Sequence, residues 1–550
     1  MSGVTTEAVN DTPVKETPAQ RVERIKRERA PWSIMDDIRE YSKRGFDSIP
    51  DEDLNVRFRH WGVYTQGDGL GTRGGAVPYF MMRIRTPNGV LTSEQVRKVA
   101  YLSTTYARDS VDITNRQNFQ LHWLRIEDLP TVWDELERVG LVSMGSCGDN
   151  TRTVTGCPLA GVEGDELLDT APFALEIDRY FNGNPEYQNL PRKYKVTVCG
   201  CTAWCSYPEI NDVGLTAVRR GNEVGFSLRV GGGLSTRPHM AIKLDAFVKQ
   251  EQVLEVVKAI TGIFRDSDEL RRNRAKARLK FLFINKKWDA ASFLAEINHR
   301  LGYTLDSAVE EQAPTDAYRD HVGIHPQKQP GLHYAGFSVT SGRITPTQLT
   351  QWADLADTFG QGRLRLTPMQ NIIVLDIPTE RIDAFRDAAQ VTGVPLDGSS
   401  FQRGVLSCTG SQYCKLAVAE TKQFSIQLAR QLEERLPGFD SALRVNIAGC
   451  PNACGQHFIA DIGLQGVQVS AGEGDATTDG FDFFVGGGLG AHAAFSHRLG
   501  YRTKAAEVPD ALQRLLLGYL SSREEDERFH AWSARVGDEQ VRAILSTSAA

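Results

Sequence analysis

The chain has 550 residues, of which 41% are hydrophobic and 24% charged, and a formal net charge of −6. That length exceeds what one core can fill and points to about three or four domains. The near-neutral charge argues against a dedicated nucleic-acid binder, and no run of about 18 apolar residues predicts a membrane-spanning helix.

In chain order, the opening stretch "MSGVTTEAVNDTPVKETPAQ" lacks the apolar centre of a secretory signal, and its Glu and Asp disfavour a transit peptide. It reads as a polar disordered tail, and residues 1–30 are set apart as such. The expectation is a cytoplasmic protein. There thiols stay reduced, and paired cysteines serve as metal ligands or catalytic groups more often than as disulfides.

Next comes a strand pattern, "YFMMRIRT" (79–86), then a helix pattern, "TSEQVRKVAYLSTTYA" (92–107). A strand, "NFQLHWLRI" (118–126), and a helix, "LPTVWDELERVG" (129–140), follow. Apolar residues alternate in the strands and recur every third or fourth position in the helices. The plan returns as "HYAGFSVT" (333–340), "TPTQLTQWADLADTF" (345–359), "NIIVLDIP" (371–378) and "RIDAFRDAAQVTG" (381–393).

The recurrence extends to local motifs. Thr92 matches Thr345 (345 − 92 = 253), and "TNRQN" (114–118) matches "TPMQN" (367–371) at the same offset. "GCPLAG" (156–161) matches "YCKLAV" (413–418), and "CTAWCSYPEINDVGL" (201–215) matches "CPNACGQHFIADIGL" (450–464). "VGGGL" occurs at 230–234 and at 485–489. The chain is therefore two homologous halves, near 60–310 and 320–550, forming an α+β fold with a pseudo-twofold axis. The polar, Pro-containing segment 309–331 reads as the linker between them.

Four of the nine cysteines fall in two pairs, Cys408 with Cys414 and Cys450 with Cys454. A disulfide is disfavoured by compartment, and the wide first spacing suits a zinc ribbon poorly. Buried bystander thiols remain a further alternative. Four thiolates fit an iron–sulfur cubane best. The amphipathic run "KLAVAETKQFSIQLARQLEERL" predicts a helix beginning at Cys414 and ending at Pro437–Gly438, its positive end toward an anionic cluster.

The pattern C-x5-C…C-x3-C, with "GCPNAC" and "ADIGL", resembles the sirohaem-dependent sulfite and nitrite reductases, from about residue 45 onward. The resemblance implies a duplicated architecture with ferredoxin-like halves and two α/β cofactor-binding domains. The expected divisions are 31–145 and 311–400 for the ferredoxin-like parts, the latter with the linker. Residues 146–310 would form the substrate and sirohaem domain, and 401–550 the iron–sulfur domain. It further implies that Cys408, Cys414, Cys450 and Cys454 bind a 4Fe–4S cluster and that Cys454 bridges to the sirohaem iron.

In the first half Cys157, Cys201 and Cys205 align with three of these cysteines, but Thr151 stands in the place of Cys408. It reads as a degenerate copy given over to substrate, with a second cluster as the alternative. By the resemblance, Arg116, Arg152, Lys193 and Lys195 surround an oxyanion and supply protons to it. Lys193 and Lys195 alternate about Tyr194, so in a strand both point the same way. Arg83, Arg85 and Arg192 are candidates to pair with sirohaem carboxylates. The run "RRNRAKARLK" (271–280) is either a solvated helix face or a basic patch for a cofactor or an acidic donor.

Two lysines suit sulfite, which carries more negative charge than nitrite near neutral pH. The expected activity is six-electron reduction of sulfite to sulfide with electrons from ferredoxin, the alternative being nitrite to ammonium. A rival of another class is a non-catalytic iron–sulfur or zinc regulatory module.

Overall fold

The computed structural model describes residues 16–68, 78–315, 319–472 and 476–547. Among them lie four five-stranded sheets, two per half. No helix of the described residues is long and apolar enough to cross a membrane.

The two antiparallel sheets exchange strands. One orders Val63–Thr65, Phe80–Ile84, Phe119–Leu124 and Val111–Ile113, and is completed by Arg343–Ile344 from the second half. The other orders Gly323–Pro326, Leu332–Phe337, Ile372–Pro378 and Arg363–Leu366, and is completed by Val90–Thr92 from the first half. Each donated strand runs directly into a helix, Ser93–Tyr106 or Pro346–Phe359. Both helices begin with the same capping box, Thr92 with Gln95 and Thr345 with Gln348, which satisfies two orphan N–H groups reciprocally. The two helices pack on each other, and Val96, Val99 and Leu102 share one core with Leu349, Trp352 and Leu355.

The other two sheets carry the cysteine motifs, and each has its own core. In the first half Thr155–Gly156, Val196–Cys199 and Val213–Arg220 are parallel neighbours, followed by antiparallel Glu223–Val230 and Ile242–Val248. The second half repeats this with Val405–Ser407, Val445–Ala448, Ile462–Ser470, Thr477–Val485 and His497–Lys504. The duplicated α+β architecture expected from the sequence is present.

Four local expectations are corrected. Residues 1–15 lie outside the described residues, but Pro18–Glu28 of the supposed tail is a helix capped by Thr17. Its charges hid it: Lys26 is buried and paired with Glu23 at 2.6 Å and Asp149 at 3.4 Å. The helix expected from Cys414 begins only at Lys422, because the Glu420 carboxylate accepts the N–H groups of Gln423 at 3.0 Å and Phe424 at 2.8 Å. The segment 309–331 is not all linker, since Gly323–Pro326 joins a sheet and His321 is buried. The run 271–280 is not one solvated helix face; Arg278 and Lys280 are buried.

Gly89 sits where the donated strand begins, with φ +67°, and an added Cβ would overlap the Leu366 carbonyl oxygen. Gly140 has a similar φ of +71° but open space around it. Both Gly→Ala changes incur the left-handed penalty of about 1 kcal/mol, and only the first also disturbs the exchanged strand. Gly89→Ala is therefore expected to lower the thermal midpoint by several degrees more than Gly140→Ala, read by differential scanning calorimetry. Equal shifts would contradict the tight crossing.

Candidate active site

Cys408 and Cys450 leave the ends of two adjacent parallel strands, Val405–Ser407 and Val445–Ala448. Loops at the carboxyl ends of parallel strands converge, which is why open sheets place ligand sites there. The Gly449 N–H donates to Cys408 Sγ at 3.2 Å. Cys414 follows in a turn closed by its own N–H to the Gly410 carbonyl at 2.9 Å. Cys450 is buried, whereas Cys454 is exposed.

The four thiols share one electrostatic neighbourhood. Burial pushes Cys414 up to about 12, and Cys454, Cys408 and Cys450 all add to the shift. Cys408 and Cys450 are also raised, by burial first and by Cys454 in addition. Thiols that oppose one another's ionisation fit a cationic centre that would hold them as thiolates. Among the described residues no three of these four Sγ atoms lie within 4.8 Å of one another. That spread suits a multi-iron cluster better than a single ion.

Facing Cys454 is a group of cations from the first half. The Asn115 side-chain N–H2 donates to the Cys454 carbonyl at 2.7 Å, which fixes loop 114–118 against the cysteine loop. Next to it, the Arg116 guanidinium donates to Asn211 Oδ1 at 3.0 Å and to the Thr153 carbonyl at 2.7 Å, while its Nε is buried without a partner. The Arg152 side chain is clamped by the Gly148 carbonyl at 3.0 and 3.2 Å and by the Ser146 carbonyl at 3.2 Å. Tyr194 turns into the core and stacks on Phe264, so Lys193 and Lys195 both face the other way, as the alternation predicts.

Neither lysine ammonium has a hydrogen-bonding or ionic partner among the described residues, although both side chains are half-buried. Burial lowers Lys193 to about 8; Cys454 opposes that shift, and Arg278, Arg152 and Arg192 add to it. Lys195 is lowered by burial and then by Arg116, Arg278 and Lys193. Burial, reinforced by Arg152, brings Arg116 down to about 9. Cations that depress one another's charge in a partly buried group would be relieved by an anion.

The remaining candidates divide. Arg83 belongs to the group: it donates to Cys147 Sγ at 3.2 Å and its charge is held by Cys147, Tyr64 and Cys454 against burial. Arg192 lies at the rim, 3.6 Å from Asp149. Arg85 does not join them. It is fully buried in a bidentate pair with Asp178 at 2.8 and 2.6 Å and has no face left for a cofactor carboxylate.

Other contributors were hidden inside the basic run. Arg278 grips Asp212 at 2.7 and 3.2 Å, and Asp212 also accepts the Lys195 N–H at 2.9 Å. Lys280 donates to the carbonyls of Gly233, Leu234 and Arg237, which is what the "VGGGL" turn is for in this half. Arg274 holds Asp149 at 2.5 and 3.0 Å. The density of arginines in 271–280 was the only signal for these roles.

Comparison with known proteins agrees with this geometry. A family model described as nitrite and sulphite reductase 4Fe-4S domain matches residues 147–305 and 398–550. A second, the nitrite/sulfite reductase ferredoxin-like half domain, matches 74–139 and 325–391. The chain is 38% identical over 543 residues to the ferredoxin sulfite reductase 1 of Mycolicibacterium paratuberculosis, with 96% of each chain covered. It is 36% identical over 504 residues to the ferredoxin–nitrite reductase of Synechococcus elongatus, covering 90% of this chain and 96% of that one. The solved structure of the Mycobacterium tuberculosis NirA protein superposes with a TM-score of 0.91 at 37% identity, covering 96% of this chain and 98% of that one.

A duplicated fold with clustered thiols beside an anion pocket defines an oxidoreductase that carries an iron–sulfur cluster. The chain belongs to the nitrite and sulphite reductase family, with sirohaem and a 4Fe–4S cluster as its cofactors.

The Arg85–Asp178 pair yields a test of structural against cofactor roles. Asp178→Asn leaves a buried guanidinium uncompensated, a loss of about 3–5 kcal/mol. The cofactor-free chain is expected to melt at a clearly lower temperature, with Asp178→Leu/Arg85→Met recovering part of the loss. A cofactor role for Arg85 would instead leave the cofactor-free chain unchanged and lower sirohaem content alone.

Proposed function

We propose that this chain reduces sulfite to sulfide with electrons delivered by ferredoxin in the cytoplasm. The observation that carries the choice is the pair of unpartnered ammonium groups, Lys193 and Lys195, beside Arg116 and Arg152. A pocket with two lysines and two arginines matches an oxyanion of up to two negative charges better than one of a single charge.

In this reading Cys408, Cys414, Cys450 and Cys454 would hold the cluster, and Cys454 would also serve as the link to sirohaem. Arg83 and Arg192 would pair with sirohaem carboxylates. When bound, sirohaem supplies the iron at which electrons enter the substrate. The chain's own groups do the rest. Arg116 and Arg152, each held by carbonyl acceptors, fix the oxyanion without having to reorient. Lys193, protonated below about pH 8, can give from Nζ one of the two protons with which a departing oxygen leaves as water, the other coming from solvent. Lys415 and Leu416, the latter 69% exposed, follow Cys414 at the surface and offer a short approach for an electron donor.

Nitrite is the second reading. It is favoured by the near-equal identity to relatives named ferredoxin-dependent nitrite reductases, 33–36% against 36–38% for those named ferredoxin sulfite reductases. Its single charge needs only one of the two lysines.

Purified enzyme with reduced ferredoxin, assayed on sulfite and nitrite in parallel, separates the readings. Wild type is expected to show the higher kcat/KM on sulfite. Lys195→Met should lower the sulfite value on the order of 100-fold and the nitrite value much less, with both cofactors still bound. A wild-type preference for nitrite, or equal losses on both anions, would reject the charge argument.

The lowered Lys193 also sets a pH limit. It is charged below about 8 and neutral above, so kcat/KM on sulfite should fall as pH rises through that value. Lys193→Arg should lower the rate yet remove that alkaline fall; an unchanged profile would reassign the proton donor.

A further inference from the structure

The closest-packed thiols of the molecule are not the four assigned to the cluster. Among the described residues, two three-ligand groups have their donor atoms within 4.8 Å of one another: Cys157, Cys205 and His321, and Cys199, Cys201 and Cys205. Cys205 belongs to both, so the two groups meet at its Sγ. All five residues are buried and all four cysteines are free.

The place is the first-half counterpart of the cluster position. Cys157 follows Thr155–Gly156, and Cys199 ends Val196–Cys199, the two adjacent parallel strands. Thr151, in the position of Cys408, adds no sulfur. His321 instead comes in from the segment that joins the halves. It is 3% exposed, and neither ring nitrogen has a hydrogen-bond partner. A buried imidazole left wholly unsatisfied is costly unless something absent from the protein chain completes it. Its Nδ1 lies 3.8 Å from Glu163 Oε2, which is itself buried without a hydrogen-bond partner.

The spacing selects a single ion. Tetrahedral ligands about 2.3 Å from one metal put sulfurs about 3.8 Å apart. The Cys201 and Cys205 Sγ atoms are 3.4 Å apart and those of Cys199 and Cys201 3.7 Å. A four-iron cubane would need a wider opening, such as the second half provides.

We propose that Cys157, Cys205 and His321 hold one zinc ion and that Cys201, whose Sγ lies 3.4 Å from that of Cys205, is its fourth ligand, with Cys199 beside the site. Three thiols lose their protons to solvent on binding, and the neutral imidazole keeps one at Nδ1. The ligand set has no open position and lies buried, so the ion is structural and ties the inter-half segment to the first-half sheet. This inference is independent of which oxyanion the enzyme reduces.

The test is metal analysis of the full-length holoenzyme, purified from zinc-supplemented cells. Zinc and iron are measured by mass spectrometry, with zinc-edge X-ray absorption on the same sample. The expected result is about one zinc per chain in addition to the cluster and haem iron. Its shell should hold sulfur at about 2.3 Å and one nitrogen at about 2.0 Å. Cys205→Ser and His321→Ala should lose the zinc while iron and haem absorption persist, and Cys199→Ser should keep it. Should those variants fail to fold, the wild-type stoichiometry and sulfur–nitrogen shell still decide. Iron-loaded wild type without zinc would overturn the proposal. So would about four further irons, meaning a second cluster, or a Cys201–Cys205 disulfide found by mass.

Discussion

The structure depends on a reciprocal exchange of edge strands. Arg343–Ile344 completes the first antiparallel sheet, and Val90–Thr92 completes the second. An edge strand removed from its neighbour leaves unpaired N–H and C=O groups, so neither half closes its sheet alone. The exchange also crosses two loops. Gln117, at φ 57°, donates to the Leu366 carbonyl at 3.0 Å, and Gln370, at φ 64°, donates to the Ile113 carbonyl at 3.0 Å. These crossed bonds hold loop 114–118 of the first half against loop 367–371 of the second. Asn115 and Arg116 reach Cys454 and the anion pocket from that one loop.

The backbone is nearly symmetric, but the charges are not. Arg116 points into the pocket, whereas Met369, its counterpart, lies in an apolar cluster with Leu406 and Ala453 and meets the Tyr207 hydroxyl at 3.1 Å. Buried cations need compensation. On the outer side they have it: Asp149 takes Arg274 and Lys26, Asp212 takes Arg278, and Asp178 takes Arg85. On the inner side Lys193 and Lys195 have no hydrogen-bonding or ionic partner among the described residues, although Cys454 favours the charge of the first and Asp212 that of the second. The carboxylates thus fix the scaffold and leave an excess of positive charge on the face toward Cys454. Such an excess costs stability by itself and is offset when anions arrive. A site of this kind fits the proposed role of holding cofactor carboxylates and an oxyanion together.

Periodicity and duplication made the larger architecture legible. The helices Ser93–Tyr106 and Pro346–Phe359 lie within the predicted segments because Thr–Gln capping boxes and apolar spacing act locally. The position of Lys193 and Lys195 followed from alternation about Tyr194. What could not be read was long-range. The strand exchange involves segments of two and three residues, too short for any periodic signal. Pro18–Glu28 looked disordered because its buried Lys26 depends on Asp149, far along the chain. Arg85 looked like its neighbour Arg83; only the position of Asp178 separates their roles. His321 sat in what composition marks as linker.

The two cysteine groups show how one fold yields different sites by burial. Both start where adjacent parallel strands end, and both use the same turn, with Trp204 and Ala453 at φ 49° and 56° and Tyr207 and Gln456 at φ 59° and 61°. In the second half the last cysteine, Cys454, is exposed and faces the cations, as an electron-carrying centre requires. In the first half Cys205 is 2% exposed, and its neighbours are other thiols and His321. A centre closed on all sides can neither meet substrate nor exchange ligands, so its free energy of binding goes into folding. Its natural place is beside the segment that connects the halves, where fixing His321 restricts the one covalent link that the strand exchange does not itself constrain.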